Sequence, residues 1–210
     1  VMLAAIKTPG KTTIKAKKSR NHTELIFKYL KIPIKILKIK NYDFIEIKGP
    51  ANFKGFDYKV PGDISSSAFF IVLTILSKNS KIKLKNVNIN NSRDGIIKIL
   101  KKMNAKIFIK NKKYYKGELV ADIMVKSSKN LKGINCPKNL NSSAIDEFLV
   151  IFLVAARARG VSIFRNLSEL NKKESPRLEI AMNFLKMIGI KFTRYSDNIK
   201  IYGNPNLSLK

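Results

Sequence analysis

Three consecutive stretches of this sequence share one order of elements, and that repetition restricts the possible architectures more than any other feature. Each reads as an apolar helix, a turn, a short strand, a polar Ser/Asn cluster opening an amphipathic helix, and then two strands. In the first, Val1–Ile6 closes a helix, Thr12–Lys17 is a strand, Asn21–Leu30 a helix, and Ile34–Ile39 and Phe44–Lys48 are strands. In the second, Ser65–Leu76 is the apolar helix, Lys81–Val87 a strand, Arg93–Met103 a helix, and Lys106–Lys110 and Ala121–Lys126 the strands. The third runs Ile145–Ala158, Val161–Asn166, Ser175–Ile188, Ile190–Arg194 and Asn198–Tyr202.

The periodicities carry this reading. Ile96, Ile97, Leu100 and Met103 recur at i, i+1, i+4 and i+7, the buried stripe of a helix, and Leu178, Met182, Leu185 and Ile188 repeat it. Ile82 and Leu84 alternate with lysines, and Ile107 and Ile109 stand two apart between Lys106 and Lys110, the period of a half-buried strand. Helix starts are marked by Asn21 with Glu24 three residues on, by Asp63 before Ser65, and by Ser92 before Arg93. Repeated βαβαββ units imply an α/β fold with sheets packed on internal helices. A domain boundary is expected near Tyr58–Asp63, where Pro61 and Gly62 interrupt the pattern, and a second, weaker break at Gly133–Ser143.

Composition removes several function classes. The 42 Lys and Arg against 14 Asp and Glu give a formal charge of +28, which invites a nucleic-acid partner. The excess is nearly all lysine, spread evenly, with arginine only at positions 20, 93, 157, 159, 165, 177 and 194. Trp is absent and no zinc or helix-turn-helix signature is present, so a solvated basic surface that attracts anionic ligands is the favoured reading. The longest apolar run, Phe148–Ala156, falls far short of the roughly 20 residues a bilayer span needs. The single Cys136 has no partner for an internal disulfide, and no Cys/His cluster has metal-ligand spacing. No export signal opens the sequence, so a cytoplasmic location is expected. The opening Val1-Met2-Leu3-Ala4-Ala5 resembles the back half of a helix, and the chain reads as a fragment.

Four clusters are chemically unusual. Lys17–Glu24 places Ser19, Arg20 and His22 at a helix start, where free backbone N–H groups suit an anion; plain helix capping explains the same residues. Asp63-Ile64-Ser65-Ser66-Ser67 offers more hydroxyls than capping needs, which suits either close packing or ligand contact. Asp146 and Glu147 open the most apolar helix, where a partly desolvated carboxylate fits a base or an acceptor for a hydroxyl, although acidic residues also favour helix first turns. Lys173, Glu174 and Arg177 share one helix end, either as a solvated charged turn or as a site for phosphate or carboxylate.

In this order the clusters resemble the 5-enolpyruvylshikimate 3-phosphate synthase family of enolpyruvyl transferases. The likeness rests on Ser19-Arg20-Asn21-His22-Thr23-Glu24, Pro61-Gly62-Asp63-Ile64-Ser65-Ser66, Asn91-Ser92-Arg93-Asp94-Gly95, Ile145-Asp146-Glu147, and Lys173-Glu174-Ser175 with Arg177. It implies a two-domain inside-out α/β barrel fold of βαβαββ units, present here in part. Residues 1–60 would be the rear of the inserted domain, and residues 61–210 would be two units of the other domain. The implied reaction moves the enolpyruvyl group of phosphoenolpyruvate onto the 5-hydroxyl of shikimate 3-phosphate and releases phosphate, with no metal and no cofactor.

Carried over by position, Asp146 resembles the residue that binds and deprotonates the 5-hydroxyl, and Glu174 a proton-transfer carboxylate. Ser19, Arg20 and Lys173 resemble shikimate 3-phosphate contacts, and Arg177 the arginine that holds phosphoenolpyruvate. The resemblance further implies a monomer when complete, without nucleic-acid or membrane partners, and a fragment that is inactive alone. Two departures stand out: Asn171-Lys172 where the family commonly reads Arg-Val, and Pro176 where it has Asp. The alternatives are the sister transferase acting on UDP-N-acetylglucosamine, a non-catalytic basic nucleic-acid-binding protein, and a degenerate chain that keeps only the fold.

Overall fold

The computed structural model describes residues 1–172 and 175–207. Its elements are α1 (Met2–Ala5), β1 (Gly10–Lys17), α2 (His22–Tyr29), β2 (Ile34–Ile39), β3 (Tyr42–Gly49), α3 (Ile64–Leu76), β4 (Lys81–Asn88), α4 (Gly95–Lys102) and β5 (Lys106–Tyr115). They continue with β6 (Glu118–Lys126), α5 (Phe148–Ala156), β7 (Gly160–Phe164), α6 (Arg177–Met187), β8 (Phe192–Tyr195) and β9 (Asn198–Gly203). The helix–strand–helix–strand–strand order therefore recurs three times, as the sequence pattern requires. Each unit also makes the same three-stranded sheet, ordered β1-β3-β2, β4-β6-β5 and β7-β9-β8, with its last strand in the middle. In the first and third sheets both outer strands run antiparallel to the central one, so the outer two are parallel and need a crossover helix, which α2 and α6 supply.

The three units close on themselves by one device. A residue one or two positions past the central strand donates its N–H to a carbonyl at the end of that unit's first helix: Ala51 to Ile6 at 2.9 Å, Ser128 to Ile75 at 3.0 Å, Asn204 to Ala156 at 2.8 Å. In the first and third units the strand ends on a glycine paired with a glycine across the ladder, Gly49 with Gly10 and Gly203 with Gly160. A Cβ at position 49 would overlap the carbonyl oxygens of Thr8 and Ala5, and one at 203 those of Ala158 and Ala155. The second unit makes the same closure with serines: Ser127 N–H donates to the Ser80 carbonyl at 2.9 Å, and Ser80 N–H to the Ser127 hydroxyl at 2.5 Å.

Several boundaries differ from the periodicity reading, and three of them have a visible cause. The helix expected from Ile145 begins at Phe148, because residues 138–140 and 142–144 form 3-10 turns instead. The helix expected from Arg93 begins at Gly95, since the Ser92 N–H and hydroxyl both turn back onto Asn90 Oδ1 at 2.8 Å. The hairpin of the second unit runs unbroken through residues 111–120, reversing at Lys116 and Gly117, whose φ of 47° and 91° fit a two-residue turn matched to strand twist. Asn21 does stand at the N-cap of α2, with no capping hydrogen bond from its side chain.

The chain divides into two compact units: Val1–Pro61 with Lys113–Val120, and Gly62–Lys112 with Ala121–Lys210. The first is built around Ala5, Ile6, Phe27, Ile32, Ile45, Ile47 and Ala51. In the second, α3 packs against α5, and the fully buried Ile71, Ile75, Ile96, Leu100, Phe148, Phe152 and Phe164 fill its core. Apolar residues occur all round α5 because it is internal, whereas α3 buries one face and leaves Phe69, Phe70 and Leu73 exposed on the other. Asp122 on the central strand β6 ties the second sheet together. It accepts from the Asn86 N–H on β4 at 3.0 Å and from Asn111 Nδ2 on β5 at 2.9 Å, and pairs with Lys83 at 3.0 Å. The Asn86 N–H, then Lys83 and Asn111, hold its carboxyl down at about 2.

Candidate functional site

The start of α3 is built by one carboxylate. Asp63 is the N-cap, and its Oδ2 accepts from the Ser66 N–H at 2.8 Å and the Ser66 hydroxyl at 3.0 Å. Partial burial works to raise the Asp63 carboxyl, but the Ser66 N–H and hydroxyl together with Arg93 outweigh it, so the group titrates below its usual range. Arg93 comes from the turn before α4, and its Nη2 donates to Asp63 Oδ1 at 3.0 Å and to the Ser65 hydroxyl. Ser65 in turn donates to Glu147 Oε1. The three serines are thus divided between a cross-link, a cap and, for Ser67, a buried position in α3.

The approach to α5 is held in place before the helix begins. Asn141 Nδ2 donates to the Arg165 carbonyl at 2.6 Å, and the Glu147 N–H to the Ala144 carbonyl at 3.0 Å. Gly95 lies so close to Ser143 that a Cβ there would overlap it. This fixes two successive carboxylates, Asp146 and Glu147, which go to different helices. Glu147 is 4% exposed and reaches Ser65 on α3. Asp146 accepts from Arg177 Nη1, the first residue of α6, at 3.0 Å.

Arg177 is placed by the turn before it. Its N–H donates to the Ser175 carbonyl at 2.8 Å, and the next N–H, of Leu178, donates to Asn171 Oδ1 at 3.2 Å. Asn171, one of the departures from the expected pattern, therefore satisfies a first-turn donor of α6. Pro176 stands at the N-cap position, where its missing N–H costs no helical bond. Side chains of Asp146 and Arg177 keep 21% and 24% exposure, enough to meet a ligand in water and little enough to strengthen the charge interaction. Ser65, Phe69, Asp146, Glu147, Ser175 and Arg177 line an open cleft of about 480 Å³. A carboxylate acceptor beside an arginine fork is an arrangement that takes a hydroxyl on one side and an anion on the other.

Of the other expected site residues, Lys173 and Glu174 lie outside the described residues. Ser19 and Arg20 belong to the first unit, exposed in the connection between β1 and α2. Next to them, His22 Nδ1 donates to Glu118 Oε1 at 2.5 Å, and Glu118 is 6% exposed. Among the described residues no group of three or more His, Cys, Asp or Glu is arranged to hold a metal ion, and no helix is long and apolar enough to cross a membrane. Sequence reasoning did not find the link from Arg93 through Ser65 to Glu147. One signal for it existed: Arg93 is the only arginine between positions 20 and 157 of a lysine-rich chain, and a forked donor is what lysine cannot replace.

The sequence model of a family described as EPSP synthase (3-phosphoshikimate 1-carboxyvinyltransferase) matches residues 1–209. A 3-phosphoshikimate 1-carboxyvinyltransferase of Thermotoga sp. (strain RQ2) is 35% identical over 208 residues, covering 99% of this chain and 48% of that protein. One from Ruthia magnifica subsp. Calyptogena magnifica is 41% identical over 204 residues, covering 97% and 46%. An EPSP synthase structure from Acinetobacter baumannii superposes with a TM-score of 0.88 at 36% identity, covering 96% of this chain and 45% of that one. The chain spans about half the length of the curated relatives it matches.

Proposed function

The chain belongs to the EPSP synthase family, and from that premise we propose that it supplies about half of an enzyme that joins phosphoenolpyruvate to shikimate 3-phosphate. In this reading the 5-hydroxyl oxygen of shikimate 3-phosphate attacks C2 of phosphoenolpyruvate as C3 gains a proton, giving a tetrahedral intermediate. Loss of a C3 proton and of phosphate then leaves the enolpyruvyl ether. Asp146 binds and deprotonates the attacking hydroxyl, Arg177 holds the phosphoenolpyruvate anion, and Glu174 moves the proton at C3. Ser19, Arg20 and Lys173 bind shikimate 3-phosphate. The observation that carries the reading is the Asp146–Arg177 pair at 3.0 Å on the wall of an open cleft, since the reaction needs an acceptor for a hydroxyl beside a cation for an anion.

In the same proposal residues 1–60 are the rear of an inserted domain and residues 61–210 part of the other, and the complete enzyme is a cytoplasmic monomer. Its basic surface serves two anionic substrates rather than nucleic acid or a membrane, and the 210 residues alone release no phosphate. The test is phosphate release by the complete enzyme, in which this chain is accompanied by the half of the family's length it does not span. With phosphoenolpyruvate present, release is expected with shikimate 3-phosphate as acceptor and absent with UDP-N-acetylglucosamine. The reverse preference would assign the sister reaction, and release with neither acceptor would leave only the fold.

A further inference from the structure

Glu147 has no part in the reaction as described above, yet it is among the most buried charged groups in the second unit, at 4% exposure. Burying a carboxylate is costly unless donors compensate it, and a similarly sized apolar side chain would fill the space without that cost. One donor is the Ser65 hydroxyl, whose oxygen accepts from Arg93 Nη2, which also donates to Asp63 Oδ1 at 3.0 Å. Three chain segments distant in sequence, the start of α3, the turn before α4 and the turn before α5, therefore meet at one hydroxyl. With its proton directed to Glu147 and a lone pair taken by Arg93, Ser65 is committed to this link rather than to a ligand.

Glu147 stands at the N-cap position of α5 but forms no capping hydrogen bond with that helix. Its side chain instead fixes the peptide it shares with Asp146 to α3, while Asp146 reaches the other way to Arg177 on α6. We propose that Glu147, acting through Ser65 and Arg93, is a positioning residue that sets where the Asp146 carboxylate stands relative to Arg177. The proposal rests on the reaction assigned above. A displacement of about 1 Å at a reacting group is enough to cost roughly 10²-fold in rate.

The test is made in the complete enzyme with Ser65→Ala, Glu147→Ala, their double variant and Glu147→Gln. Each single alanine variant is expected to lower kcat about 10- to 100-fold. The double variant is expected to be no slower than Glu147→Ala, because both remove one link. Glu147→Gln, which still accepts from Ser65, is expected to recover most of kcat. Unchanged kcat in the alanine variants would overturn the proposal, as would losses that multiply in the double variant, or a Glu147→Gln enzyme as slow as Glu147→Ala. Crystal structures of the Ser65→Ala and Glu147→Ala proteins test the link without the reaction: the Asp146–Arg177 contact is expected to open beyond hydrogen-bond reach, and an intact contact in both would contradict it. A wild-type enzyme without activity would count against the assigned reaction, and the two crystal structures would still decide the positioning role.

Discussion

Replacing Asp146 by Asn in the complete enzyme is expected to lower kcat by about 10²- to 10⁴-fold, the contribution of a well-placed general base. Asn keeps the shape and one oxygen acceptor, so the 3.0 Å contact from Arg177 Nη1 survives in form while the proton acceptor is lost. Phosphoenolpyruvate binding is therefore expected to suffer far less than turnover, and the loss should fall on kcat with KM for phosphoenolpyruvate little changed. Arg177→Met should divide the other way, raising that KM and leaving Asp146 without its guanidinium neighbour. Steady-state kinetics with each substrate varied in turn separate the two patterns. A fall in kcat below about tenfold for Asp146→Asn would show that another group takes the hydroxyl proton.

The second large effect is on stability. Phe152→Ala is expected to destabilise the second unit by about 3–5 kcal/mol, the cost of deleting a ring from a close-packed core. Phe152 is 1% exposed, with its ring centroid 5.0 Å from that of Phe164 and 5.9 Å from that of Phe148. These three rings join α5 to β7, so the cavity opens where the third repeat packs on its own first helix. At roughly 2–4 °C per kcal/mol for a chain of this size, the melting transition should fall by about 6–20 °C. Tyr195→Ala, at a position 82% exposed, should stay within about 0.5 kcal/mol of wild type. Equal, small shifts from both variants in a thermal melt would mean that the aromatic cluster does not hold the unit together.

The fold was legible because each unit repeats signals that act locally. Ile82 and Leu84 alternate with lysines, Ile96 to Met103 form a stripe, and Asp63 caps the helix it precedes, so each element could be read within a dozen residues. The boundaries that escaped rest on contacts that no periodicity marks, some of them distant in sequence. The start of α5 at Phe148 is set by the Asn141 bonds to the carbonyls of Arg165 and Asn166, 24 and 25 residues away. Continuation of β5 to Tyr115 and the start of β6 at Glu118 rest on a turn at Lys116, an ordinary residue in a left-handed conformation.

The candidate site shows the same division. Asp146, Glu147 and Arg177 stood out as residue types at helix starts, but nothing local says that one carboxylate turns to α6 and its neighbour to α3. That choice is made by Ser65, 82 residues from Glu147, and by Arg93, 28 residues from Ser65. The surplus of serines at the start of α3 was visible as a surplus. Its cause, Ser65 in a cross-link and Ser66 in the cap, appears only when the segments are brought together. Asn171 likewise reads as a departure in sequence and as a helix-capping acceptor in structure.

The most direct test of the assigned site is a crystal structure of the complete enzyme with shikimate 3-phosphate and phosphoenolpyruvate bound. The 5-hydroxyl oxygen is expected within about 3 Å of an Asp146 carboxylate oxygen, with the phosphoenolpyruvate anion on the Arg177 guanidinium. Shikimate 3-phosphate bound with no hydroxyl within about 4 Å of Asp146, and phosphoenolpyruvate held by cations other than Arg177, would contradict the account.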